Sequence, residues 1–141
     1  MSIQGLGIDI VNIDSFREQL NDQASSFVQG SFTLREQVDV KNRPNKDKVY
    51  SFAARYAAKE AFIKAWSVMN RHQPPVLPHI NFLEIEVQTD PWHRPFLVLH
   101  GEIKKAMMTI EAQLGFSLKY HVSLSHDVLS ATAIVIIESK V

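Results

Sequence analysis

A glutamate and a lysine placed one helical turn apart are the residues of this sequence best suited to chemistry. Glu60 and Lys64 lie in the run 52–66, which is rich in aromatic residues and alanine. A carboxylate can bind a cation or accept a proton, and an ammonium can neutralise phosphate oxygens. The ordinary alternative is an exposed i,i+4 ion pair worth roughly 0.2–0.5 kcal/mol. The helix alone is compatible with either interpretation.

A carboxylate inside an apolar strand is the second unusual feature. Asp9 stands between Ile8 and Ile10, although aspartate is depleted in strands. A buried carboxylate without partners is costly, so Asp9 would need a cation, an arginine or several N–H donors. The alternatives are a partly exposed edge strand, or a salt bridge to Arg55 or Lys64.

A polar strand face near the C-terminus is the third feature. His121, Ser123 and Ser125 alternate with apolar residues, and His126 begins the turn that follows. Hydroxyl, imidazole and turn N–H groups suit contacts to phosphate or ribose. The alternative is the exposed face of an edge hairpin.

These three features are compatible with a single site. Asp9 and Glu60 come from different elements and can share a hard cation such as Mg²⁺. Lys64 and the histidine and serine side chains would hold phosphate oxygens. The sequence therefore predicts a metal-assisted phosphate-ester site. It contains no Gly-x-Ser-x-Gly, Walker, Rossmann or His-Glu-x-x-His motif.

A long helix over about 49–70 must position the charged pair. Four of its larger side chains share a face and are expected in the core: Phe52, Tyr56, Ile63 and Trp66. Three small side chains fall beside the charged pair: Ala53, Ala57 and Ala61. Small residues would let another backbone or a bulky ligand approach that flank.

The remaining patterns predict strands joined mostly by hairpins. Strands are expected over about 6–11, 82–87, 96–100, 118–125 and 130–137. Short helices should follow a cap at Asn12 or Asp14 and a capping box at 33–36, and a helix over 103–114 should end at Gly115. Segment 21–31 is poorly patterned, and 41–48 reads as a charged loop. The predicted fold class is α+β, an antiparallel sheet with helices on one face.

Composition narrows the possible functions. A chain of 141 residues is most simply one domain, 1–141. Fifteen basic and fifteen acidic residues leave no net charge, so nucleic acid and membranes are not expected partners. The absence of cysteine excludes disulfides, zinc–thiolate sites and thiol nucleophiles. With neither a signal peptide nor a span of roughly 20 apolar residues, we expect a cytoplasmic protein.

Three segments, in this order, resemble the holo-[acyl-carrier-protein] synthase family of 4′-phosphopantetheinyl transferases. They are Gly7-Ile-Asp-Ile-Val11, Arg55-Tyr-Ala-Ala-Lys-Glu-Ala-Phe-Ile-Lys64 and His121-Val-Ser-Leu-Ser-His126. The resemblance implies transfer of 4′-phosphopantetheine from coenzyme A to a serine of apo-acyl carrier protein, releasing 3′,5′-ADP, in support of fatty acid biosynthesis. It also implies the family's α+β fold and a homotrimer with sites between subunits.

The resemblance assigns roles to individual residues. Asp9 and Glu60 would be the Mg²⁺ ligands, and Lys64 would lie near the pyrophosphate and protonate the leaving group. Arg55, Ser125 and His126 would contact coenzyme A. Either Glu60 or a metal-bound hydroxide would be the general base.

Three departures from the family pattern bear on function. Segment 67–79 is longer than usual and lacks the common Gly-Thr-Gly turn. The usual Asn-Gly-x-Pro turn is replaced by Trp92-His-Arg-Pro95. The first helix offers only Arg17 for docking an acidic carrier protein, either free-standing or within a larger synthase. The alternatives are a homologue that binds coenzyme A or carrier protein without catalysis, and a structural subunit.

Overall fold

The computed structural model describes residues 1–44 and 48–140. In this part of the chain, strands and helices follow one another with clear signals at their boundaries. The strands are β1 Ser2–Asn12, β2 Ile85–Thr89, β3 Pro95–Leu99, β4 Ser117–His126 and β5 Ser130–Lys140. The helices are α1 Ile13–Asn21, α2 Phe27–Ser31, α3 Leu34–Lys41, α4 Lys48–Met69 and α5 Gly101–Leu114, with a 3₁₀ turn at Phe82–Glu84.

Two antiparallel sheets carry the strands. β1, β5 and β4 form one sheet in the order β1-β5-β4, and β2 pairs with β3 in the other. In the larger sheet Asp9 lies opposite Ala133, and Ser125 lies opposite Thr132. The predicted α+β class and both predicted hairpins are therefore confirmed. β1 is an edge strand, which was one of the alternatives for Asp9.

The backbone of β1 lies directly against α4. A Cβ atom on Gly7 would overlap the carbonyl oxygen of Ala61, and one on Gly5 would overlap that of Ala65. Glycine is thus required where strand and helix approach most closely. The prediction that the alanine flank of α4 admits another backbone is confirmed, because Ala61 is fully buried.

The predicted core face of α4 is partly wrong. Trp66 is buried, but Phe52, Tyr56 and Ile63 are only half-buried, whereas the alanine flank is the most buried part of the helix. The reason is that the sheet covers the alanine flank. Short helices cover the aromatic stripe, and Phe27 of α2 packs with its ring 5.4 Å from Tyr56.

Local signals fix most of the shorter elements. Asn12 caps α1 by accepting a hydrogen bond from the Ser15 amide at 2.9 Å. The predicted capping box is present, with Thr33 and Glu36 bonded to each other's backbone amides. Gly115 ends α5 with φ of 78°, a left-handed conformation that glycine adopts without strain.

Two elements differ from the sequence prediction. Segment 21–31 contains the short helix α2, which is held by the packing of Phe27 against Phe16 rather than by its own pattern. The strand expected from residue 82 begins only at Ile85, because Asn81 accepts a hydrogen bond from the Leu83 amide and caps a 3₁₀ turn.

A buried ion pair ties α4 to α3. The Lys59 ammonium lies 2.7 Å from a Glu36 carboxylate oxygen, and both side chains are fully buried. Lys59 also donates to the carbonyls of Ser31 and Phe82. Burial lowers the pKa of Lys59, although the Glu36 carboxylate favours its charged form. These contacts fix the rotation of α4 about its axis and thereby orient the next residue, Glu60.

Two findings concern the rest of the chain. The predicted loop 41–48 is shorter at both ends, because α3 reaches Lys41 and α4 starts at Lys48. Residues 45–47 of that loop lie outside the described part. Among the residues that are described, no helix is long and apolar enough to span a membrane.

Candidate functional site

Alternation along β1 points Asp9 towards α4. Successive side chains of a strand face opposite sides, and Asp9 shares the inward side with Gly7 and Val11. The Lys64 ammonium lies 3.0 Å from the Asp9 carboxylate and donates a second hydrogen bond to the Ile8 carbonyl. The Asp9 side chain is 16% exposed and that of Lys64 is 53% exposed. A substrate can therefore reach this pair.

Glu60 lies one helical turn before Lys64 and is half-buried. The expected i,i+4 pair is not formed, because Lys64 reaches across to Asp9 instead. None of the ion pairs found within residues 1–44 and 48–140 includes Glu60. The ordinary explanation for Glu60 and Lys64 as a surface helix pair therefore fails.

Tyr56 connects the two carboxylates. Burial raises the pKa of the Tyr56 phenol, and the nearby Glu60 carboxylate raises it further, with a smaller contribution from Asp9. Both carboxylates therefore act on one phenol, one helical turn before Glu60. Sequence reasoning assigned Tyr56 to the core, although its i−4 spacing from Glu60 was a signal that it lies at the site.

This donor set fits a hard cation that is shared with a substrate. In the described part of the chain, no cluster of three or more histidine, aspartate or glutamate side chains is arranged around a metal position. Mg²⁺ is commonly held by one or two carboxylates together with substrate phosphates and water. Asp9 and Glu60 therefore suit a metal ion that is also bound by substrate and water, rather than one bound entirely by protein ligands.

A second polar site surrounds Arg55, at a cavity of about 250 Å³. Arg55 is 2% exposed, and Nη1 donates to the Ser51 carbonyl at 3.3 Å. Among the described residues, its buried Nε and Nη2 atoms have no hydrogen-bond partner. Burial lowers the pKa of Arg55, and Arg43 lowers it further. Unpaired buried donors of positive charge favour an anionic ligand in the cavity.

His126 lines the same cavity as Arg55. The ring of Tyr50 lies 4.9 Å from the His126 ring. Three lining residues were missed from the sequence: Arg43, Tyr50 and His93. Only Arg43 carried a signal, its position in a charged segment. His93 had been assigned to a turn.

Ser125 lies apart from both groups. It is exposed, it shares a strand face with His121, and it does not line the cavity around Arg55. His121 on that face pairs with Glu138 at 2.8 Å. Within one chain the structure therefore brings Arg55 and His126 together but leaves Ser125 on the outer face of the sheet.

A family model described as the 4′-phosphopantetheinyl transferase superfamily matches residues 5–125. This chain belongs to that superfamily. The chain is also 40% identical over 140 residues to a holo-[acyl-carrier-protein] synthase of Mycobacterium ulcerans, covering 99% of this chain and 100% of the relative.

Solved structures of the superfamily resemble this transferase over nearly its whole length. An ACPS–CoA complex of Chronobacterium ammoniagenes matches with a TM-score of 0.83 and 37% identity, covering 96% of each chain. A Bacillus anthracis holo-(acyl-carrier-protein) synthase in complex with CoA (3′,5′-ADP) matches with a TM-score of 0.72 and 27% identity, covering 99% of this chain and all of that chain. Both likenesses support the same fold.

In this member of the superfamily the two polar sites lie on opposite sides of α4. Arg55 and Lys64 are nine residues apart, so their side chains point in opposite directions from the axis of an α-helix. Neither Asp9 nor Glu60 lines the cavity around Arg55. One chain thus carries a carboxylate half-site, Asp9, Glu60 and Lys64, and a basic half-site, Arg55 and His126.

Proposed function

We propose that this protein transfers 4′-phosphopantetheine from coenzyme A to a serine of apo-acyl carrier protein. The products are holo-acyl carrier protein and 3′,5′-ADP, and the reaction supports fatty acid biosynthesis. Synthases of that name match this chain over its full length, and a relative of the same fold is a CoA complex. The observation that carries the proposal is the ion pair of Lys64 with Asp9 across from β1 to α4, one helical turn after Glu60.

Asp9 and Glu60 are the residues that would hold Mg²⁺. When bound, the ion neutralises charge on the phosphate oxygens that react. Lys64 stabilises the same developing charge and donates a proton to the departing 3′,5′-ADP. Its partly exposed ammonium already lies at Asp9, within reach of a phosphate held there.

Glu60 is the general base in this proposal. A serine hydroxyl is a weak nucleophile and needs a proton acceptor. In the described residues Asp9 is paired with Lys64, whereas Glu60 is not in an ion pair. A carboxylate has two oxygens, so Glu60 can hold the metal through one and accept the serine proton through the other. Positioning of serine and phosphate should supply much of the rate, as in other phosphoryl transfers.

The basic half-site holds a second phosphate of coenzyme A. Coenzyme A carries a 3′-phosphate besides its pyrophosphate. If the carboxylate half-site takes the pyrophosphate, Arg55 and His126 are left for the 3′-phosphate. The unpartnered nitrogens of Arg55 support this assignment.

A homotrimer would bring the two half-sites of neighbouring subunits together. The outer face of the larger sheet exposes a row of apolar side chains: Leu6, Ile8, Ile10 and Ile134. An exposed apolar patch of this kind commonly marks an interface. Ser125 lies on this outer face, so in an assembled trimer it would contact coenzyme A bound at the interface.

The carrier protein, free-standing or part of a synthase, would dock through exposed basic residues. Arg17 on α1 is exposed, and so is Lys41 at the end of α3. We treat the chain 1–141 as one transferase domain. A cytoplasmic location stays a prediction from the sequence.

Mass spectrometry of apo-acyl carrier protein tests the proposed function. Incubation with this protein, coenzyme A and Mg²⁺ should add the mass of one phosphopantetheine, and a chelator should abolish the gain. If the protein bound coenzyme A but modified neither free-standing nor synthase-embedded carrier proteins, it would be a binding homologue and the proposal would fail.

A further inference from the structure

A buried ammonium directly before Glu60 has no role in the reaction proposed above. Lys59 is fully buried, and so is its partner Glu36. Taking two charges out of water is costly, and replacing a buried ion pair by apolar residues is often neutral or stabilising. A role in stability alone therefore explains this pair poorly. We propose that Lys59 is a positioning residue that holds the aromatic side chains bordering Glu60, an inference that rests on the proposed function.

The Lys59 ammonium joins α4 to three other elements. It lies 2.7 Å from a Glu36 carboxylate oxygen on α3, and it donates to the Phe82 carbonyl in the 3₁₀ turn at 2.9 Å. A third hydrogen bond goes to the carbonyl of Ser31, the last residue of α2. We call these four residues the Lys59 cluster. An ammonium has three donors, and all of them are used within the protein, so Lys59 acts on the reaction only through other residues.

The segments held by the Lys59 cluster carry rings that pack on Tyr56. The Phe82 ring lies 5.3 Å from the Tyr56 ring, measured between their centroids. Phe32 directly follows Ser31, and its ring lies 6.5 Å from that of Tyr56. One ammonium thus anchors the backbone of Phe82 itself and of the residue next to Phe32. The two rings in turn restrict the Tyr56 side chain.

Tyr56 borders the general base of the proposed reaction. It precedes Glu60 by one helical turn, so the two side chains lie on the same face of α4. Burial raises the pKa of the Tyr56 phenol, and the nearby Glu60 carboxylate raises it further. A ring that is held in this place limits the conformations open to Glu60. Because a displacement of about 1 Å can cost a hundredfold in rate, holding the ring favours transfer.

The larger sheet holds α4 from the opposite flank. Lys59 and Ala61 are two residues apart, so their side chains point about 200° apart around the helix axis. The backbone of β1 packs at Ala61, where Gly7 meets its carbonyl oxygen. Loss of the Lys59 cluster should therefore leave α4 docked on the sheet and release the rings around Tyr56. The expected defect is one of positioning within a folded protein.

Steady-state kinetics of the full chain with three variants tests the inference. Lys59→Met keeps an unbranched side chain but removes the three donors. Lys59→Met combined with Glu36→Leu also removes the carboxylate that the single variant leaves unpaired, so the double variant should be the more stable of the two. Met107→Ala is the matched control, since it opens a cavity at a buried residue of α5 outside the Lys59 cluster. Rates are measured below every melting temperature, so that they refer to folded protein.

Both Lys59 variants should lose turnover but keep their affinity for substrate. We expect kcat to fall about tenfold or more, because Glu60 is less well placed, and KM for coenzyme A to stay within about twofold. Met107→Ala should lower the melting temperature and leave kcat unchanged. A double variant with the kcat of the wild type, or an equal loss of kcat in Met107→Ala, would overturn the inference. Failure of both Lys59 variants to fold would show a structural role only and overturn it as well.

A second readout does not depend on activity. Nuclear Overhauser effects between the ring protons of Tyr56 and Phe82 report on the contact that Lys59 holds, and they should weaken in both Lys59 variants. Those between Phe62 and Trp66, whose rings lie 6.1 Å apart, should persist and serve as the internal reference. Unchanged effects between Tyr56 and Phe82 contradict the inference even if kcat falls. A wild type that transfers nothing overturns the proposed function, whereas these outcomes concern Lys59 alone.

Discussion

At the scale of single residues, Arg55 shows most clearly that part of this molecule is arranged for a ligand rather than for stability. Its guanidinium is buried, yet two of its nitrogens have no hydrogen-bond partner within residues 1–44 and 48–140. The surroundings disfavour the charge on balance, because burial and Arg43 lower the pKa of Arg55 by more than the Glu36 and Asp39 carboxylates raise it. A bound anion would supply the missing hydrogen bonds and the opposite charge.

Replacing Arg55 should therefore separate binding from stability. Arg55→Met keeps the aliphatic stem but removes the unpaired donors. We expect the free energy of unfolding to stay the same or rise by about 1 kcal/mol, because replacing a poorly compensated buried ion is often neutral or stabilising. Affinity for coenzyme A should fall at least about tenfold, while 3′-dephospho-coenzyme A should bind as it does to the wild type. Urea unfolding and calorimetry measure the two effects.

If both forms of coenzyme A lost affinity equally, Arg55 would not contact the 3′-phosphate. A large loss of stability would show that Arg55 is structural instead.

The carboxylate of Glu60 should be essential for turnover but dispensable for folding. Glu60→Gln keeps the size of the side chain and removes its charge. Transfer to acyl carrier protein should fall at least about a hundredfold, the usual effect of removing one group that acts on the transition state. Glu102→Gln removes an exposed glutamate that pairs with Lys105 and serves as control. Initial rates at increasing Mg²⁺ provide the measurement, and undiminished turnover in Glu60→Gln would remove Glu60 from the mechanism.

At the scale of elements, the contact between β1 and α4 determines whether the carboxylates meet. Asp9 lies on the strand, while Glu60 and Lys64 lie on the helix. Their approach depends on Gly7, where any side chain would overlap the Ala61 carbonyl oxygen. Strand and helix can thus be this close only because neither has side-chain bulk at the contact.

Gly7→Ala should push β1 away from α4. The overlap is with backbone, which cannot move to another rotamer, so we expect a loss of about 3 kcal/mol, at the upper end for overpacking. Gly30→Ala is the control, because a Cβ at Gly30 meets no atom within 4 Å. That change should shift stability by less than about 1 kcal/mol. Thermal unfolding of both variants checks the comparison, and equal melting temperatures would contradict the packing described for β1.

Glu86 links β2 to α3 in a pH-dependent way. Burial acts to raise its pKa, but hydrogen bonds from Thr33, Gln88 and His100 outweigh burial and hold the pKa below its ordinary value. The folded protein therefore binds this proton more weakly than the unfolded chain does. The stability that Glu86 contributes is present above the ordinary pKa and is lost as pH falls through the lower folded pKa.

Glu86→Gln should consequently destabilise the protein only at higher pH. We expect a loss of about 1 kcal/mol at pH 7, since one partner of charged hydrogen bonds is weakened. The difference from the wild type should shrink as pH falls from about 5 towards 2. Urea unfolding across that range measures it. A difference that stayed constant with pH would show that the charge of Glu86 is not involved.

The sequence predicted those elements whose signals are local. The capping box at Thr33 and Glu36, the left-handed end at Gly115 and the long helix α4 depend on nearby residues, and the structure confirms them. The helix α2 was not predictable in this way, because contacts of Phe27 with distant rings hold it. The burial of the alanine flank likewise depends on the strand that packs there.

The site was predictable only in part for the same reason. Asp9, Glu60 and Lys64 were singled out because polar residues in apolar patterns are conspicuous. Tyr56 and Arg43 were missed, since an aromatic residue on a helix and a charged residue in a loop are ordinary in sequence. Their importance depends on what the fold places beside them.

At the scale of the whole molecule, one face of the larger sheet packs on α4, and the other face is open to solvent and apolar along β1. Ile10 is 70% exposed on the open face, and Leu6 and Ile8 beside it are exposed as well. Asp9 lies between Ile8 and Ile10 but faces inward. An interface formed by the outer face of β1 would thus be separated from the carboxylate half-site only by the backbone of β1.

Introducing charge on this face should disrupt assembly. Ile8→Lys places an ammonium in the middle of the apolar row, and burying an unpaired charge at an interface is strongly unfavourable. We expect this variant to be a monomer by light scattering and the wild type to be a trimer, and we expect the variant to lose transfer activity. Lys104→Glu, a charge change at an exposed residue of α5 outside the larger sheet, is the control. Wild-type protein that is monomeric and active would contradict the shared site.

Mixing two inactive variants tests the central claim most directly, namely that the carboxylate half-site of one subunit works with the basic half-site of its neighbour. At coenzyme A concentrations well below the raised Kd of Arg55→Met, Arg55→Met and Glu60→Gln would each leave every site of a homotrimer with little activity. Unfolding and reassembling an equal mixture should restore about a quarter of wild-type transfer activity, because random mixing in a ring pairs two intact half-sites at one interface in four. Activity no higher than that of the separate variants would contradict the claim.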